Sequence, residues 1–75
     1  MSGKSVILFH STNYAMWAVD ILTENNIVNK LIPVPRDLSS DCGYCVQIEA
    51  DSVHEAEESL KKENIEFDRI VDTEN

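Results

Sequence analysis

Two cysteines are too few to staple a secreted domain with disulfides, and this chain of 75 residues has no others. A reduced, cytoplasmic setting is therefore expected, with Cys42 and Cys45 kept as thiols. Long apolar runs are missing too. The opening stretch MSGKSVILFHS holds a run of four apolar residues. A signal-peptide core needs ~7–15, and a membrane span needs ~20. Basic residues are scarce: 6 Lys and Arg against 14 Asp and Glu leave a net charge of −8. That balance argues against nucleic acid, where Lys and Arg supply affinity by neutralising phosphates, and against an anionic membrane surface. The charge serves solubility.

What is present suits one small domain spanning residues 1–75, near the lower size limit for a self-sufficient core. The apolar run at residues 6–9 has strand length. HSTN follows and supplies capping residues, with Ser11 or Thr12 as the N-cap of a helix. Ala15, Ala18, Val19 and Leu22 then fall at i, i+3, i+4 and i+7, which is one helix face. Glu24–Asn25–Asn26 ends that helix. VNKLIPVPR reads as a strand with two prolines, Pro33 and Pro35, and proline cannot donate to a ladder, so this strand belongs at a sheet edge. Tyr44, Val46, Ile48 and Ala50 alternate with Cys45, Gln47 and Glu49, predicting a half-buried strand with Cys45 on the face away from the helices. Ser52 and Glu55 have capping-box spacing, and Val53, Ala56 and Leu60 give a second helix its apolar stripe. FDRIV reads as the last strand, and residues 72–75 as a polar tail.

The order β-α-β-β-α-β nearly repeats itself. At an offset of 38, Ala18, Leu22, Asn26, Ile27 and Ile32 match Ala56, Leu60, Asn64, Ile65 and Ile70. Two such halves predict an α+β, ferredoxin-like sandwich: a four-stranded antiparallel sheet of order 4-1-3-2 with both helices on one face. The other face is expected to meet solvent or a partner subunit.

That topology puts the loop PRDLSSDCG at the same end of the sheet as FHSTN. Cys42 is then expected near the amino end of the first helix, whose amide groups stabilise a thiolate. Arg36, and His10 when protonated, act in the same direction, while Asp41 opposes them. Ser11 and Thr12 border the helix start. Ser39 and Ser40 can shape the turn or hold an anion, and Gly43 lets the backbone turn. His54 is placed at the opposite end.

LFHST, LIPVPRDLSSDCG and ENIEF together resemble the selenium/sulfur carrier protein-like family, small bacterial proteins of similar length. The most specific element is Pro-Arg-x-x-Ser-Ser-x-Cys-Gly, here Pro35, Arg36, Ser39, Ser40, Cys42 and Gly43. The resemblance implies a carrier rather than a stand-alone enzyme, holding sulfur or selenium on Cys42. A donor such as a cysteine desulfurase and an acceptor protein are its implied partners, and no cofactor is called for. Cys45 departs from the family pattern, but its position lets it attack a Cys42 persulfide. Other readings of the residues remain open. Cys42, Cys45 and His10 could begin a zinc site completed by Asp41, water or another subunit. The pair could exchange dithiol for disulfide, although a strand rather than a helix follows it. The chain could also be a non-catalytic interaction module, and the open sheet face allows a homodimer.

Overall fold

The computed structural model describes residues 3–38 and 43–73. Its elements run β1 (Lys4–Leu8), α1 (Thr12–Glu24), β2 (Asn29–Pro33), β3 (Tyr44–Glu49), a 3-10 turn (Ala50–Ser52), α2 (Val53–Lys62) and β4 (Arg69–Thr73). The strands make one antiparallel sheet in the order β2-β3-β1-β4, which from the other edge is the expected 4-1-3-2. This is an α+β fold consistent with the ferredoxin-like type. Among the described residues, no helix is long and apolar enough to cross a membrane.

The most buried strand, β1, takes a central place, with Leu8 opposite Cys45 on one side and Arg69 on the other. Alternation along the strands divides their side chains between two faces. Ile7, Phe9, Val46 and Ile48 point to the helices, where Ala15, Ala18, Leu22, Ala56 and Leu60 complete the core. The alanines let the helices approach the sheet closely. α1 packs over β2 and β3 and against α2.

Ser11 is the N-cap of α1. Its backbone is extended, and its hydroxyl accepts from the Tyr14 amide at 3.4 Å. Both helices end in the same way. Asn26 and Asn64 take left-handed φ values of 62° and 61°. The amides of Ile27 and Ile65 then donate back to the Leu22 and Leu60 carbonyls, each at 2.9 Å. This is Schellman geometry, and asparagine is one of the few residues that accepts it. Four of the five offset identities are thus structural equivalents. The fifth is not, because Ile32 lies on the face away from the helices and Ile70 on the face toward them. The spacing between the halves becomes odd in the strands, and with a period of two an odd shift reverses the face.

The edge position of β2 is explained by its proline. Val34 donates inward to the Gly43 carbonyl at 3.1 Å, so the nitrogen of Pro33, one residue earlier, faces out where no ladder bond is lost. Two local expectations change. The Ser52 side chain makes no cap hydrogen bond, because the 3-10 turn leaves its backbone at φ −96° and ψ 1°, away from the extended cap conformation. β4 also continues through Asp72 and Thr73, two residues read as tail. Ser5, buried on β1, donates to the Asp72 carboxylate at 2.8 Å, and Thr73 donates its hydroxyl to the Lys4 carbonyl at 3.1 Å. Residues 74 and 75 lie outside the described residues.

Candidate functional site

The β2–β3 connection is tied at its base by the bond from Val34 to Gly43. Pro35 opens a tight turn, closed by the Leu38 amide donating to the Pro35 carbonyl at 3.0 Å. Arg36 and Asp37 sit exposed at the tip of that turn. The turn sends Leu38 onto the sheet face opposite the helices, where it packs with Val34 against Val6, Leu8, Cys45, Ile32 and Val71. A shallow depression lined by Pro35, Asp37 and Leu38 on one side and Val71 and Thr73 on the other marks how far the loop reaches toward β4. The loop-bearing end of this face is therefore covered by the chain itself. At the other end the face is polar, with the Lys4 ammonium 2.7 Å from the Glu49 carboxylate.

Cys45 occupies the face its alternation predicted. It is fully buried in this second apolar cluster, its sulfur 4.0 Å from the Pro33 carbonyl oxygen. Apolar surroundings disfavour a charged thiolate. Ser39, Ser40, Asp41 and Cys42 lie outside the described residues. Cys42 is nevertheless bonded directly to Gly43, and four residues separate the partly buried Leu38 from Gly43. Its tether is short.

Gly43 is exposed and has a φ of 85°. A Cβ built there would meet nothing within 4 Å, so conformation rather than space calls for glycine. Gly43→Ala is expected to cost about 1 kcal/mol of stability, readable as a lower urea midpoint with an unchanged slope.

His10 is exposed and Thr12 is the first residue of α1; both lie with the Ser11 cap at the sheet end that carries Gly43. In the described part of the loop Val34 and Leu38 pack on the sheet face opposite α1, and the expected approach of Cys42 to the amino end of α1 lies outside the described residues. His54 is exposed at the start of α2, 3.6 Å from Glu58. Among the described residues, no three His, Cys, Asp or Glu gather in a way that could hold a metal ion.

Val34 and Leu38 are the site residues that sequence reasoning missed. The signal was the unbroken run at residues 6–9. A strand apolar on both faces needs cover on both, and the helices cover only one. Leu38→Asp tests the cover directly. An aspartate cannot stay in that cluster without several kcal/mol of desolvation cost. In a Cys42→Ser background, alkylation of Cys45 should accelerate by about tenfold or more, which corresponds to ~1.4 kcal/mol or more of lost protection.

No curated protein and no solved structure matches the chain at a significant level. One family model does, across 4–72 and so over both halves of the fold and the whole cysteine loop. By that match the chain belongs to the family described as Putative Se/S carrier protein-like.

Proposed function

We propose that this protein carries sulfane sulfur or selenium on Cys42 and passes it to an acceptor protein in the cytoplasm. One observation carries the reading: the family match runs through the Pro35-Arg36 to Cys42-Gly43 motif, the chain's most specific element. The exposure of Gly43, which is bonded directly to Cys42, supports it. A carrier needs its sulfur atom presented to two partners in turn, and needs no deep pocket.

In loading, the Cys42 thiolate attacks the terminal sulfur of a donor persulfide. The donor's S–S bond breaks, its thiolate leaves, and Cys42 holds –S–S⁻ with no net change in electrons or protons. Delivery is the same exchange with an acceptor thiolate attacking the terminal atom. Selenium follows an identical path as –S–Se⁻. Cys45 offers a second exit: its thiol attacks the inner Cys42 sulfur, forming a disulfide and releasing hydrosulfide. Residues three apart in extended strand are ~10 Å apart, beyond the ~7 Å that a disulfide tolerates between Cα atoms. That exit therefore uses the bend at Gly43 and requires Leu38 to lift from Cys45.

Incubation with a cysteine desulfurase and cysteine should add about 32 Da, one sulfur atom, as a persulfide removed by dithiothreitol. Peptide mapping should place it on Cys42. No adduct from the desulfurase or from inorganic polysulfide, or an adduct mapped elsewhere, rejects the carrier reading.

A further inference from the structure

Among the described residues, the large exposed apolar side chains are Met16 at 55%, Trp17 at 43%, Val28 at 72%, Leu31 at 39% and Tyr44 at 46%. Three of them adjoin. Tyr44 stands opposite the exposed Pro33 in the β2–β3 register, and Leu31 is two residues from Pro33, so all three share the helix-side face. Met16 is brought beside them by α1. The Asn29 side-chain amide donates to the Thr23 hydroxyl at 3.1 Å, so the stripe of α1 bearing Thr23 runs along β2. Met16 lies on that stripe seven residues earlier, ~10.5 Å up the helix. That distance equals about three strand residues and places Met16 alongside Leu31 and Pro33. Trp17 follows Met16, its ring stacked on Tyr14 with centroids 6.3 Å apart and planes at 12°. Tyr44 adjoins Gly43, so the strip reaches the base of the Cys42 loop.

We infer that this strip is the docking surface for the protein that loads Cys42, a partner whose contact area is apolar at its centre and basic at its rim. The inference rests on the carrier reading above. Charge complementarity identifies the partner: Asp20 and Glu24 flank the strip on α1, which carries no Lys or Arg, and the whole chain bears −8. A second copy would bring the same negative charge. Nor can it add well as a strand, because Pro33 removes an outward donor from the β2 edge. Continuity with the loop gives the docked partner a short path to the cysteine.

The test compares two sulfur sources, a cysteine desulfurase with cysteine and inorganic polysulfide, which requires no docking. The variants are Met16→Gln/Leu31→Gln together, Tyr44→Gln as an independent probe, and Val28→Gln as an exposed control at the other end of β2. Desulfurase loading should slow by about tenfold or more in the double variant, the effect of ~1.4 kcal/mol. Tyr44→Gln should slow it in the same direction. Polysulfide loading should be unchanged in all, and Val28→Gln should match the wild type with both sources. Raising salt from about 0.05 to 0.5 M should slow desulfurase loading of the wild type. Equal desulfurase rates in wild type and double variant overturn the docking surface, as does a wild type that loads from polysulfide but not from the desulfurase. A dimer in sedimentation that the double variant loses would assign the strip to a second copy and also overturn it. Failure to load from either source is a separate result that defeats the carrier reading itself.

Discussion

Cys42→Ser is expected to abolish loading from every sulfur source, while Cys45→Ala leaves the initial rate of loading intact. The asymmetry follows from burial. A donor persulfide must reach the attacking sulfur in line, and Cys45 is sealed beneath Leu38 and Val34. A serine hydroxyl at position 42 is a far weaker nucleophile than a thiolate, so no residual loading is expected above background. The two variants should differ again after loading. In Cys45→Ala the persulfide loses its internal exit, so the adduct should persist longer than in wild type when no acceptor is present. Time-resolved intact-mass measurements, with released hydrosulfide assayed in parallel, read both effects. Loading that survives Cys42→Ser would move the chemistry off this residue altogether.

Leu22→Ala should remove much of the stability of the fold. Leu22 is fully buried where α1 meets the sheet, and its deletion leaves a cavity worth about 2–5 kcal/mol. A chain of this length has about 4–11 kcal/mol in total, so the variant should be partly unfolded near 37 °C. Leu60→Ala should cost a similar amount, because Leu60 occupies the equivalent site before an identical helix terminus. Urea denaturation followed by circular dichroism measures both. A pair of values differing by more than about 2 kcal/mol would show that the two halves bear unequal loads despite their matched geometry.

Much of this architecture was legible in the residues themselves. Element order came from periodicity, the edge place of β2 from Pro33, and the α1 cap from Ser11. The repeat was legible where it rests on local chemistry, at Asn26 and Asn64, whose left-handed backbone needs a particular residue type. It misled at Ile32 and Ile70, because which face a strand residue takes depends on register and not on identity. Ser52 misled for a related reason: capping-box spacing was present, but the 3-10 turn before it set the backbone angles. At the site, the face taken by Cys45 followed from alternation. Its burial did not, because the cover comes from Leu38, a single leucine within a loop that is otherwise polar. Contacts between residues distant in sequence, set by the path of a turn, leave no periodic trace.

The ring nitrogen of Pro33 has a consequence for self-association at high concentration. With the β2 border blunted, a sheet can extend readily only past Arg69–Thr73. Two molecules that join there use up their one receptive border each, and a third finds no place to add. Stacking strand upon strand is therefore expected to stop at a pair, and light scattering at rising concentration should show no species larger than a dimer.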